Sequence, residues 1–445
     1  MQRSQGWMRK MLSVWLGLWL AVGCGQATAE TDEQALRLSP LWGSQARSRF
    51  TAGTAHSLAV RPDGTVWAWG SNSYGQLGTG TTSHHPVPVA VPGLSGVVAV
   101  ASSLYHSLAV RSDGTVWAWG YNAYGQVGDG TTSRRPVPVA VPGLSGVVAV
   151  AAGHYHSLAV RSDGTVWAWG TNGSGQLGDG TTSDRTAPVA VQGLSGVVAV
   201  AAGHSYSLAV RSDGTVWAWG ANGNGQLGDG TRSRRLVPVA VPGLSGVVAV
   251  AAGQSHSLAV RSDGTVWAWG YNYYGQVGDG TTLQRTVPGA VPGLSGVVAV
   301  AAGYSHSLAV RSDGTVWAWG DNAYGQVGDG TRSRSLVPVA AQGLSGVVTV
   351  AAGSKHSLAV RSDDTVWAWG DNESGQLGDE TTSQRSVPVA VPGLSGGEAM
   401  AAGSKHSLMV RSDGTLWGWG SNGFGQIGDG GPTDCAYTPV LSSLY

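Results

Sequence analysis

A period of fifty residues, kept without slippage over most of the chain, constrains its fold more than any other feature. With the first residue of "HSLAV" as origin, copies begin at His56, His106, His156, Tyr206, His256, His306, His356 and His406. The stretch "SDGTVWAWG" occurs unchanged from Ser112, Ser162, Ser212, Ser262 and Ser312, and three more times with one or two changes. Sixteen of the 20 tryptophans belong to this device. A fixed period of this length means one supersecondary unit per repeat, with neighbours stacked to share a core.

Within one repeat, "SLAV" and "TVWAW" are short apolar, β-branched runs separated by "RSDG", where Asp113 and Gly114 supply a hairpin turn. "PVAV" and "VVAVAA" are two further runs bounded by Pro and Gly. Four short strands per repeat, with no helical periodicity, predict an all-β fold: a β-propeller of four-stranded antiparallel blades. Eight blades are expected, with seven blades and an irregular end as the alternative. "RFTAG" at Arg49 to Gly53 aligns with "VAVAAG" and is expected to supply the strand that the shorter final copy lacks, closing the ring. Alternation puts Trp117 and Trp119 on one face of the sheet and Val116 and Ala118 on the other. A bulky face can then seat on the small-residue face of the next blade, so both tryptophans are read as core.

The chain resembles the regulator of chromosome condensation repeat family. The marks are "VAAG" at Val150 to Gly153, "HSLAV" at His156 to Val160, and the W-x-W-G-x-N-x-x-G-Q-L-G-x-G pattern at Trp167 to Gly180. The resemblance runs from about Phe50 to Val440 and implies a propeller. It also implies protein partners, since one member secreted by bacteria inhibits β-lactamases. The namesake role of guanine-nucleotide exchange is the less favoured implication, because the start of the chain reads as an export signal.

That start is basic at Arg3, Arg9 and Lys10, apolar from Met11 to Val22, and then small-residue rich. The expected division is an export segment over 1–29, a linker over 30–45, and one propeller of eight repeats over 46–445. Two cleavage readings stand: "LAVGC" ends in Cys24 as a lipoprotein box does, and "ATA" at Ala27 to Ala29 suits ordinary signal peptidase. Either makes the protein exported, as an outer-membrane lipoprotein or a periplasmic or extracellular protein, touching membrane only through a lipid on Cys24. Cys435 is then left without a partner for a disulfide.

Lys and Arg number 26, Asp and Glu 26, and charged residues are only 12% of the chain. Such a surface lacks the phosphate-neutralising excess that nucleic-acid binding needs. No catalytic set emerges: Asp113 and Asp129 with their counterparts sit in turns, one His per blade is too dispersed to hold a metal, and "GQLGDGT" lacks the Lys of a phosphate loop. The expectation is a non-enzymatic protein without cofactor or metal.

Differences between copies gather just before each His, around the Asn of "GxNxxG", and after "GDG". Antiparallel strands place all three on one face of the ring. That face carries Tyr124, Tyr155, Tyr271, Tyr273, Tyr274, Tyr304 and Tyr324 with Arg134, Arg135, Arg185, Arg234, Arg235, Arg332 and Arg334. Tyr and Arg are enriched in protein hot spots, so these residues are the candidate partner-binding surface. The expected function is an exported protein-binding scaffold; an envelope glycan-binding or glycan-cleaving protein is the alternative.

Overall fold

The computed structural model describes residues 49–431 and 434–442. The expected export segment with Cys24, and the linker, lie outside the described residues. Within them the chain forms thirty-two strands in eight four-stranded antiparallel sheets, each built from consecutive strands. The second sheet is typical: β5 (Val97–Ser102), β6 (His106–Arg111), β7 (Val116–Gly120) and β8 (Arg135–Ala140), paired in that order. First strands of successive blades adjoin one another all round the molecule, so they ring its axis and the fourth strands form the rim. The protein is an eight-bladed β-propeller.

Each element follows from its residues. Asp113 Oδ1 accepts bonds from the amide and hydroxyl of Thr115, at 2.9 and 2.6 Å, which fixes the hairpin turn. Every rim strand contains a proline, as in "RPVPVA" and "RLVPVA", and proline offers no N–H to an incoming strand, so the exposed edges resist pairing with other chains. The core lies between blades. Trp119 packs with Leu58, Val66 and Ala68 of the blade before it, and its Nε1 donates to the Gln76 carbonyl of that blade at 2.8 Å. Ser107 Oγ donates to the same carbonyl at 2.8 Å, and His56 Nε2 lies 3.2 Å from that hydroxyl. The hydroxyl proton is spent on Gln76, so the imidazole is the donor and His56 is the Nε2–H tautomer. Its Nδ1 lone pair has no partner.

The two tryptophans of each blade part company. Trp69, Trp119 and their six successors are fully buried, whereas Trp67, Trp117 and theirs are half-buried. Expecting all sixteen in the core overcounted, because the first Trp sits at the hairpin end of the strand, where an arginine covers one side: Arg61 lies 3.9 Å from the Trp67 ring.

"RFTAG" becomes β1 (Phe50–Ala52), bonded to β2 (His56–Val60) in the first blade. It packs beside the eighth blade without joining that blade's sheet, which is complete from β29 (Gly397–Ala402) to β32 (Cys435–Leu441). The ring therefore closes through the contacts used at every other junction: Trp69 Nε1 and Ser57 Oγ both donate to the Gln426 carbonyl, at 2.9 and 2.8 Å. One repeat, the seventh, departs from glycine at two positions where the backbone turns left-handed, Asp364 (φ 66°) and Glu380 (φ 68°).

Candidate functional site

Two sets of loops build one face: the short loop between the first and second strands, and the long loop between the third and fourth. Their placement is dictated by sequence. Tyr121 N donates to Tyr105 O at 2.9 Å, tying the two loops together. Gly120 makes that approach possible, since at φ +105° a Cβ would stand 2.5 Å from the Tyr105 carbonyl.

The long loop is held from within. Asn122 Oδ1 accepts the Val127 amide at 2.9 Å, and its Nδ2 donates to the Thr131 and Ser133 carbonyls at 3.0 and 2.9 Å. Gln126 Oε1 accepts the Tyr124 amide at 3.0 Å. The recurring "NxxGQxGDGT" is thus scaffolding, and it crosses onto the next blade, where Gly130 N donates to Thr186 O at 2.8 Å.

This scaffolding claims three of the expected partner-binding residues. Arg135 Nε is ion-paired with Asp129, Arg185 with Asp179 at 2.6 Å, and Arg235 with Asp229 at 2.5 Å. Burial alone would raise the Asp179 carboxyl, but bonds from Arg185 and Thr181 outweigh it and hold the group below the ordinary carboxylate range. These guanidiniums brace the loop instead of facing outward freely. The arginine one residue earlier behaves differently: Arg134, Arg234 and Arg334 are exposed and reach the preceding blade's loop, at Ser73 O, Gly173 O and Tyr273 O, 3.0, 3.0 and 2.9 Å away. Arg332 is exposed.

The tyrosines form two groups. Tyr124 and Tyr155 meet at 5.3 Å between ring centroids, and Tyr121 touches both, at 6.1 and 6.0 Å. Tyr121 also meets Tyr74 at 5.0 Å, which lies 4.7 Å from Tyr105. Five rings from three blades thus make one continuous cluster, flanked by Arg134 over Tyr74 at 5.3 Å and by His154, whose ring lies tilted against that of His204 at 3.8 Å between centroids. The second group is Tyr271, Tyr273 and Tyr274, with Arg334 over Tyr273 at 5.6 Å. Tyr304 accepts a bond from Gln254 at 2.6 Å, and Tyr324 from Lys355 at 2.8 Å.

The sequence reading missed Tyr74, Tyr105, Tyr121, His154 and His204. Repeat position carries the missing signal, because Tyr74 is equivalent to Tyr124, Tyr105 to Tyr155, and Tyr121 to Tyr271. Among the described residues no group of three or more metal-ligating side chains converges.

Comparison with known proteins agrees with this architecture. The family model of the RCC1-like domain matches residues 147–444. Models of the regulator of chromosome condensation (RCC1) repeat match 63–110 and 113–160, and 49–76 and 97–126. Human E3 ubiquitin-protein ligase HERC2 is 50% identical over 44 residues, 10% of this chain and 1% of that protein. Human protein RCC2 is 43% identical over 49 residues, 11% of this chain and 9% of that protein. The matched segments therefore span a tenth or less of these relatives' length. Among solved structures, human WBSCR16 is similar with a TM-score of 0.63 and 25% identity, over 78% of this chain and 98% of that one. Prp20p from Saccharomyces cerevisiae, whose structure is described with its binding properties to Gsp1p and histones, gives 0.62 and 25%, over 79% and 92%.

Proposed function

Because this chain belongs to the RCC1-like domain family, matched over more than half its length, we propose that it is a protein-binding scaffold that acts through the loop face, without catalysis of its own. The observation that carries this reading is the five-tyrosine cluster of Tyr74, Tyr105, Tyr121, Tyr124 and Tyr155. Packing does not require it, since the equivalent positions in the seventh blade hold Ser374, Lys355 and Asp371 and that blade folds alike. Tyrosine offers large area at low entropic cost on binding. Protein partners of the similar Prp20p, Gsp1p and histones, are in keeping with this use of the fold.

The basic, apolar and small-residue succession from Arg3 to Ala29 supports export, and Cys24 a lipid anchor, so the partners are sought in envelope extract. With the purified ring as bait, replacing the five tyrosines by alanine is expected to abolish capture while leaving the circular dichroism unchanged. Ser112→Arg with Ser145→Arg, exposed on the opposite face, should leave capture intact. Equal loss from both sets would overturn the assignment of the face.

A further inference from the structure

Where the long loop of one blade meets the rim strand of the next, three junctions are filled by a guanidinium of the chain itself. Arg134, Arg234 and Arg334 each donate to the carbonyl at one repeat position, that of Ser73, Gly173 and Tyr273. Arg134 also lies over the Tyr74 ring. The junction between the eighth loop and the first rim strand lacks such a group. His84 holds the place of Arg134 there, and it turns back on its own loop, where its Nδ1 accepts the Asn72 amide at 2.9 Å. What is left is a cavity of about 220 Å³, lined by His84 and Pro86 from the first blade and by Asn422, Gly423, Phe424 and Asp434 from the eighth. Gly423 and Phe424 are the repeat equivalents of Ser73 and Tyr74.

Aromatic contacts set this junction apart from the others. Rings stand at the Tyr74 position in five blades, and four of them are engaged. Tyr74 lies under Arg134, and Tyr324 under Lys355 at 4.2 Å. Tyr124 packs on Tyr121 and Tyr155, and Tyr274 on Tyr271 and Tyr273. Phe424 meets the ring of His84 alone among the described residues, at 5.0 Å, and is 46% exposed. Charge is the second distinction. In five blades an arginine neutralises the loop aspartate, as Arg135 does Asp129. In the eighth, Ala436 takes that register. Asp429, beside Gly431 of the cavity wall, and the exposed Asp434 therefore have no ion-pair partner among the described residues.

We propose that this cavity is a socket for an arginine side chain of the protein partner, entering where the chain supplies its own arginine at three other junctions. The incoming guanidinium donates to the Gly423 carbonyl, lies over Phe424 and pairs with Asp434. A cavity of about 220 Å³ is smaller than the roughly 300–1,000 Å³ of small-molecule sites, which suits a single side chain. Lysine fits less well, because a point charge cannot offer a planar face to the ring and a fork of donors to carbonyl and carboxylate together. This assignment rests on the reading of the loop face as a protein-binding surface and names the group on the partner that it holds.

The chain has 2 phenylalanines, Phe50 buried and Phe424 at the socket, so para-fluorophenylalanine labelling gives each its own fluorine resonance. Titrating the whole protein with N-acetylarginine amide is expected to move the Phe424 resonance to saturation and to leave that of Phe50 in place. N-acetyllysine amide should need several-fold higher concentration, and Asp434→Asn should weaken the arginine probe several-fold. His84→Arg copies the second blade, which folds alike, and plugs the cavity from within; it should abolish the shift. No saturable shift, an equal response to the lysine probe, or a response that survives His84→Arg overturns the socket. His84→Arg should also lower capture from envelope extract with all five tyrosines in place, and full capture would show that the partner does not use the socket. The probe needs no partner, so the socket can fail while the five-tyrosine variant still upholds the binding face, and the reverse.

Discussion

Trp217 and Trp219 are two residues apart and identical in letter, yet only Trp219 is fully buried. Trp219 also donates to the Gln176 carbonyl of the preceding blade at 2.8 Å, while Trp217 is half-buried and reaches only Thr215, in its own hairpin, at 3.3 Å. Trp219→Ala is therefore expected to cost about 3–5 kcal/mol, as a large core truncation does. Trp217→Ala should cost roughly half as much, in proportion to the area it withdraws from water. Chemical denaturation of the two variants checks the order; equal losses would put both rings in the core. Alternation showed that these side chains share a sheet face, but how deep each lies depends on the twist of the blade and on the arginine that caps the outer ring. Arg134 and Arg135 repeat the lesson. Adjacent in sequence, one lies outward over Tyr74 and the other turns inward to Asp129, because Asp129 waits six residues earlier on the same loop.

At the scale of the strand, the first residue of each blade's second strand is a buried imidazole in seven blades and Tyr206 in the fourth. Burial holds His156 and His256 down to about 3, and His106 and His306 down to about 4. In the unfolded chain these groups titrate near 6.5. Between 6.5 and the folded values the unfolded state binds more protons, so stability is full above 6.5 and falls as pH drops below it. Each histidine contributes a loss of about 1.4 kcal/mol per pH unit well below 6.5. Seven together exhaust an ordinary domain stability of about 5–15 kcal/mol within a unit or two. Acid unfolding is expected near pH 5, followed by tryptophan fluorescence. His156→Tyr, copying Tyr206, removes one titrating group and should make the approach to unfolding less steep. An unchanged slope would mean that these imidazoles are already charged or exposed in the folded ring. The sequence showed one histidine per blade, too dispersed to hold a metal; its burial, tautomer and unpartnered Nδ1 needed the neighbouring blade.

For the whole molecule, the eight blades and their order were legible in the fifty-residue period, because one strong local pattern recurs without a break. The tyrosine cluster was only half legible, since its members come from three blades and touch only once the ring has set their spacing. Closure brings no strand exchange, and the join between the last blade and the first uses the same Trp and Ser bonds to a Gln carbonyl as the others. Linking Ser442 to Arg49 through a copy of "PGLSGVV" and opening the chain at Gly193, exposed with no atom near its missing side chain, is expected to give a ring within about 1 kcal/mol of the original. Loss of folding in that permutant would show that the join is special. Some residues do mark it. Phe50 stands where the second blade has Val100, and it packs against Leu408 and Leu416 of the eighth. In that blade Leu416 replaces the valine, and Gly418 the alanine, found at Val366 and Ala368 of the seventh. Nearly identical repeats give a growing ring no way to count, and an assembly without a count could shut one blade early. Fitting Phe50 to a surface that only the eighth blade offers makes shape the terminator that tells the chain when the number is complete.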